Sequence, residues 1–154
     1  MTSTMRFDKW ENSLGQPYGT VLQVVQGTTS TMISNTSTTY VDTGLSATIT
    51  PRFATSKILV LINQHVFKGS TVTENAVNIR IIRAATQIFQ AGSLLRTAST
   101  LEINSYLPLQ ILDSPNTTSA VTYKTTVANN TAANQVQVQN NSNPSYITLM
   151  EIAQ

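Results

Sequence analysis

From Thr20 to Ile152 the chain is a succession of short runs of β-branched and aliphatic residues, each closed by a cluster of Ser, Thr, Asn, Asp, Gly or Pro. Runs this short, with turn chemistry between them, suit strands and leave no room for helices of ordinary length. The strands expected are Thr20–Gln26, Thr38–Val41, Leu45–Thr50, Lys57–Phe67, Ala76–Ala84, Thr86–Ala91, Leu101–Leu112, Ala120–Ala128, Gln135–Gln139 and Ser145–Ile152. Strands at this density describe an all-β antiparallel two-sheet sandwich of the jelly-roll type. No period repeats, which disfavours a propeller or solenoid. The polar residues agree: 64 of the 154 residues are Thr, Ser, Asn or Gln. Thr and Asn are poor helix formers, and Thr favours strands. The apolar residues come in dense runs, which argues against disorder.

Two segments carry the core. In Lys57-Ile-Leu-Val-Leu-Ile-Asn-Gln-His-Val-Phe-Lys both parities are apolar at first and then mixed, so one end of this strand should be covered on both faces and central. In Ala120-Val-Thr-Tyr-Lys-Thr-Thr-Val, residues Val121, Tyr123 and Val127 alternate with Thr122, Lys124 and Thr126, the period of a strand with one wet face. The length fits one domain. Residues 19–154 are assigned to the sandwich. Residues 1–18, which show neither periodicity, are read as an extended N-terminal arm.

Enzymatic chemistry finds little to work with. The chain has one histidine, His65, and no cysteine, so thiolate nucleophiles, disulfides, cysteine metal sites and three-histidine zinc sites are out of reach. His65 lies inside a strand and reads as a core or subunit-interface residue. The seven carboxylates Asp8, Glu11, Asp42, Glu74, Glu102, Asp113 and Glu151 show no spacing that recommends a catalytic pair, and read as turn and surface groups. No glycine-rich loop precedes a helix. We therefore expect no catalytic residues, no cofactor and no metal. The basic residues are scattered, and Arg80 and Arg83 point to opposite faces of one strand, so no nucleic-acid stripe forms. The first residues lack the apolar core of a signal peptide and no apolar run is long enough for a membrane helix, so synthesis in the cytoplasm and no membrane insertion are expected.

Only 10% of the residues are charged, against roughly 25% in ordinary domains. A surface that poor in charge is either hidden or carries neutral amides and hydroxyls, and assembly explains it. The closing strand Tyr146-Ile-Thr-Leu-Met-Glu-Ile is apolar on both parities. It reads as packed between its own sheet and a neighbouring subunit through Tyr146, Ile147, Leu149, Met150 and Ile152, or else as an ordinary central strand. In the arm, Arg6, Phe7 and Trp10 are the residue types that anchor interfaces. A carbohydrate site would want an aromatic ring beside amides, and Tyr106, Tyr123 and Asn129 are the candidates.

The phrases Gly19-Thr-Val-Leu-Gln-Val-Val-Gln, Thr39-Tyr-Val-Asp-Thr-Gly-Leu, Ser56-Lys-Ile-Leu-Val-Leu, Asp113-Ser-Pro-Asn-Thr-Thr-Ser-Ala-Val-Thr-Tyr-Lys and Ile147-Thr-Leu-Met-Glu-Ile, in this order, resemble virion proteins of tailed bacteriophages of the cyanophage and marine-phage kind. The resemblance covers about residues 19 to 153. It implies a homotrimeric jelly roll similar to the C1q and tumour-necrosis-factor fold, with strand Ile147 to Ile152 close to the threefold axis. It also implies a place on the virion surface and other virion proteins, the major capsid protein or a tail protein, as partners. Family members look like fibre tips or surface projections. A fibre needs a shaft, and only about eighteen residues precede the domain. A trimeric capsid decoration or cement protein held by its arm is therefore the expected role. The alternative is a tail fibre or tail-associated knob that recognises a host surface glycan.

Overall fold

The computed structural model describes residues 19–69, 74–97 and 101–154. Ten strands follow one another: β1 (Val21–Thr29), β2 (Ile33–Asn35), β3 (Val41–Ile49), β4 (Lys57–Gly69), β5 (Asn75–Arg83), β6 (Thr86–Thr97), β7 (Ile103–Asp113), β8 (Val121–Asn129), β9 (Gln135–Val138) and β10 (Ser145–Ile152). All strand pairs are antiparallel. One sheet carries the long strands in the order β7-β4-β10-β1 and the other in the order β3-β8-β5-β6. Taking the eight long strands in chain order, the sheets read first-eighth-third-sixth and second-seventh-fourth-fifth. That is the jelly-roll connection, in which successive strands mostly cross between layers.

β4 organises the first sheet. One edge pairs with β7 from Ile58 to Lys68. The other edge pairs with β10 from Lys57 to Asn63 and with β9 from Val66 to Gly69. β9 and β10 are thus one strand interrupted opposite Gln64 and His65, where residues 139–144 leave the sheet. β1 and β2, which pair with β10 and β9, are interrupted at the same level. The excursion bends through left-handed backbone at Gln139, Asn141 and Ser142, with φ of 53°, 54° and 58°, a region that costs non-glycine residues roughly 1–2 kcal/mol each.

The excursion divides the interior. Below it Leu45, Ile49, Ile58, Val60, Ile62, Ile81, Tyr123, Ile147 and Leu149 form one apolar cluster. Above it Val66, Val77, Val127, Val136 and Val138 form a second. Each aliphatic side chain so buried contributes about 1.5–3 kcal/mol. Between the clusters lies a closed polar layer of Thr43, Gln64, Thr125, Gln139 and Ser145, all buried. Thr43 Oγ1 lies 2.5 Å from Thr125 Oγ1, which donates to Gln64 Oε1 at 2.8 Å. Gln64 Nε2 and the His65 amide both donate to Ser145 Oγ at 2.9 Å. The Gln139 amide is satisfied when its nitrogen faces the Thr31, Thr43 and Val138 carbonyls, and its oxygen then accepts from Gln64 Nε2 at 2.6 Å and Ser145 Oγ at 2.8 Å. Every donor in the layer has an acceptor, which is the condition for burying polar groups.

Side chains clasp the two sheets at both ends. At one end Arg83 of β5 donates to both oxygens of Asp113 at the end of β7 (2.9 and 2.8 Å), and the buried Tyr123 hydroxyl of β8 donates to the same carboxylate at 2.7 Å. At the other end buried asparagines tie down loops. Asn35 donates to the Thr39 and Val127 carbonyls, Asn129 to the Asn35 carbonyl at 2.6 Å, and Asn75 to Asn129 Oδ1 at 3.1 Å. Many of the asparagines that set the composition apart are thus loop fasteners.

Several expectations change in detail. Thr38–Val41 and Leu45–Thr50 form one strand, β3, because Asp42 Oδ1 accepts the Gly44 amide at 3.0 Å and Gly44 takes φ of 76°, which carries the strand through a bulge at Asp42–Ser46. β2 is an extra strand, three residues held by pairing with β9. Asp113 is more than a turn former, since it receives Arg83 and Tyr123. Glu151 is no surface group. It is buried on the inward parity of β10, where it accepts from Gln23 Nε2 at 2.6 Å and the Arg52 amide at 2.7 Å.

Candidate functional site

The outer face of the sheet β7-β4-β10-β1 is where the sequence and the structure meet. Strand alternation and register place its residues in rows. Val24, Met150, Leu59 and Leu112 form one row, Gln26, Thr148, Leu61 and Gln110 the next, and Thr28, Tyr146, Asn63 and Pro108 the third. Lys57 at one margin is the single charged residue of this face among the described residues. Val24 and Leu112 are half exposed, 56% and 50%, and Tyr106 and Tyr146 remain 39% exposed. A shallow depression lined by Leu61, Asn63, Pro108, Gln110, Tyr146 and Thr148 lies in its middle. The opposite sheet differs. Its outer face carries Thr48 bonded to Thr122, Lys124 paired with Asp42, and Arg80 stacked 3.5 Å from the Tyr40 ring centroid and bonded to Gln90. Water suits that face. Burial of its apolar groups is what the first face lacks.

The closing strand contributes to both sides of its sheet. Tyr146, Met150 and Ile152 look outward, and only these of the five expected interface residues do so. Ile147 and Leu149 are fully buried in the chain's own core, facing Ile62 and Val60 across β4 and packed under the second sheet. The apolar character on both parities therefore reflects one inner and one outer face, and Ile147 and Leu149 are withdrawn from the interface. Arg6, Phe7 and Trp10 lie outside the described residues.

At the upper end of the same face the rows turn polar. His65 pairs with Tyr106 across β4 and β7, their rings meeting edge-on with centroids 5.0 Å apart. A cleft of about 220 Å³ opens there between β4, β7 and the 139–144 excursion, lined by His65, Asn104, Ser105, Tyr106 and Asn143. His65 is only 2% exposed, and its Nδ1 has no hydrogen-bond partner among the described residues. Burial lowers its pKa from the ordinary value, against an opposing pull from the Asn104 side chain, so the ring is neutral at pH 7. Of the expected carbohydrate residues this cleft holds Tyr106 alone. Tyr123 is fully buried with its hydroxyl on Asp113, and Asn129 is a buried loop fastener, so neither reaches a ligand. Asn104, Ser105 and Asn143 went unremarked in the sequence. The signal for Asn104 was its alternation with Tyr106, while Asn143 is brought in by an excursion that no periodicity announces.

Elsewhere the ionisable groups serve the fold. Burial pushes the Glu151 carboxyl up, but hydrogen bonds from Gln23 and from the Arg52 and Phe53 amides outweigh it and hold the pKa below its ordinary value. Burial and the Asp113 carboxylate push the Tyr123 hydroxyl far up, so it stays a donor. Lys68 is buried with its ammonium on Thr97 Oγ1 at 2.6 Å, and burial lowers its pKa. Among the described residues no three of His, Asp and Glu gather as metal ligands would. No helix there is long and apolar enough to cross a membrane.

No protein-family model and no curated protein matches the chain. Solved structures with a similar course include the infectious bursal disease virus VP2 subviral particle, with a TM-score of 0.43 and 12% identity over 86% of this chain and 40% of that one. The Gx strain of infectious bursal disease virus gives 0.45 and 12% over 85% and 38%. Dimeric latent PorU from Porphyromonas gingivalis gives 0.37 and 9% over 86% and 13%. The chain spans less than half the length of each of these solved chains.

Proposed function

We propose that this chain is a non-enzymatic structural protein of a tailed-phage virion, a homotrimer that decorates or cements the capsid surface. One observation carries the assembly: the outer face of β7-β4-β10-β1 presents Val24, Leu59, Leu112, Tyr146 and Met150 around a shallow depression, with Lys57 as its one charge among the described residues. A second copy is the partner whose chemistry matches such a face, because an uncharged apolar surface is covered best by another apolar surface, and the resemblance to trimeric virion proteins sets the number of copies at three. The sequence phrases that resemble phage virion proteins supply the particle as context. Residues 1–18 act in this reading as the tether to a capsid protein, with Arg6, Phe7 and Trp10 as its anchors. Additional surface buried between shell subunits stabilises the assembled state by mass action.

Light scattering on the full chain at micromolar concentration tests the assembly. The expected mass is that of three chains, falling to one chain in Met150→Glu and Leu59→Glu, each of which places a carboxylate at the centre of the contact. A wild-type monomer refutes the assembly. Deleting residues 1–18 should leave the mass ratio intact and abolish co-sedimentation with purified phage particles, and unchanged co-sedimentation refutes the tether. The second reading, a receptor-binding knob on a tail or fibre, is favoured by the polar cleft at Tyr106.

A further inference from the structure

We propose that the cleft between β4, β7 and the 139–144 excursion binds one neutral pyranose ring of a glycan. The inference does not rest on trimer formation, since the cleft is complete within one chain. Tyr106 supplies the platform: its ring is 39% exposed, held edge-on against His65, and a flat aromatic face of this kind packs the apolar C–H face of a sugar. Around it stand groups that match sugar hydroxyls. His65 Nδ1 is buried without a partner among the described residues, and in the neutral ring it accepts a hydrogen bond from a hydroxyl. A buried polar atom without a partner costs about 1–3 kcal/mol, and a hydroxyl in the cleft would remove that cost where the His65 ring turns to meet it. Asn143 commits its Nδ2 to the Asn140 carbonyl at 2.9 Å, which turns its amide oxygen into an acceptor of fixed direction. Asn104, whose side chain is hydrogen-bonded to His65, adds an amide at the cleft wall, and Ser105 lines it between Asn104 and Tyr106 with its hydroxyl on the Tyr106 carbonyl at 3.4 Å.

The absence of charge sets the class of ligand. No Lys, Arg, Asp or Glu lines the cleft among the described residues, so a carboxylated or sulfated sugar would enter with its charge unpaired, whereas neutral hexoses and N-acetylhexosamines would not. The volume, about 220 Å³, suits one ring and no longer chain. Single-ring sites of this kind are weak, and adhesion would come from several copies acting together.

The test is a nuclear magnetic resonance titration of the full chain with the methyl glycosides of glucose, galactose, mannose and N-acetylglucosamine, and with N-acetylneuraminic acid as the charged probe. At least one neutral glycoside should give saturable shifts at His65, Asn104, Ser105, Tyr106 and Asn143. Tyr106→Ala should weaken it about tenfold, while Tyr106→Phe, which keeps the stacking face, should bind within about twofold of wild type. Asn143→Ala, a loop change remote from the core, should weaken binding as well and covers the case in which Tyr106→Ala fails to fold. No saturable shift with any neutral glycoside overturns the proposal, as does binding that survives both Tyr106→Ala and Asn143→Ala. Tighter binding of N-acetylneuraminic acid than of every neutral probe overturns the assignment of class.

Discussion

Ser145→Ala removes one oxygen from the buried layer between the two cores, and the structure says what that oxygen does. It accepts from the His65 amide and from Gln64 Nε2, both at 2.9 Å, and donates to Gln139 Oε1 at 2.8 Å. Without it two buried donors lose their acceptor, while Gln139 Oε1 keeps Gln64 Nε2 and is less affected. A buried unsatisfied donor costs about 1–3 kcal/mol. The Gln64 amide retains a 3.3 Å contact to the His65 carbonyl that softens one of the two losses. The expected destabilisation is therefore about 2–4 kcal/mol, a large share of the roughly 5–15 kcal/mol that a domain has. Urea unfolding at pH 7 and fixed protein concentration measures it, with Gln87→Ala, exposed on β6 of the other sheet, expected within about 0.5 kcal/mol of wild type. The double variant Gln64→Leu with Ser145→Ala should lose less than the sum of the single losses, because the two side chains share one network. A Ser145→Ala change below about 0.5 kcal/mol, or simple additivity in the double variant, would refute the view that this layer is a single hydrogen-bonded unit.

Gly27→Ala should be worse than its size suggests. A Cβ there would sit 2.0 Å from the Ser46 carbonyl oxygen and 3.1 Å from the Ile147 side chain, at the corner where β1 and β3 close the two sheets. Backbone has to move, and a loss of at least about 3 kcal/mol in urea unfolding is expected, with an unchanged midpoint as the refuting result. Glu151 predicts acid sensitivity. Its folded pKa lies below its unfolded value, so its contribution is complete above pH ~4.3 and is lost as pH falls from there through the folded pKa. Glu151→Gln should be less stable at pH 7 and show a flatter acid limb, and an acid limb as steep as wild type would assign the effect to other groups.

Strand alternation was the most legible signal, and its failures are local. β10 runs from Ser145 to Ile152 as its apolar run indicates. The alternation of Val121, Tyr123 and Val127 placed these residues on one face, and all three are inward. The same alternation argued against Tyr123 as a sugar contact, since its parity is that of the core. Apolar residues on both parities of β10 have two origins that composition does not separate: an inner face under a second sheet, and an outer face awaiting a cover. Partner geometry decides, and only pairing with β4 reveals it. β2 was invisible because three residues carry no period, and Asp42-Thr43-Gly44 read as a break because a bulge and a turn use the same residues. Glu151 was misplaced because the ligands of its carboxylate, Gln23 and the backbone of residues 52 and 53, come from elements far away in sequence. The polar cleft was half legible, through Tyr106 and Asn104 on one strand, and its other wall is made by the 139–144 excursion.

That excursion also settles a question of register. The segment Gln135-Val-Gln-Val-Gln repeats every two residues, so sliding it by two along β4 would keep valines inward and glutamines outward and leave the apolar bookkeeping almost unchanged. The amide of Gln139 and the hydroxyl of Ser145 meet the amide of Gln64, which itself accepts from Thr125 across the sandwich, in this alignment and not in one shifted by two. In a chain with so few charges to discriminate between pairings, this band of neutral hydrogen bonds is the part of the interior that tells the strands where to stop.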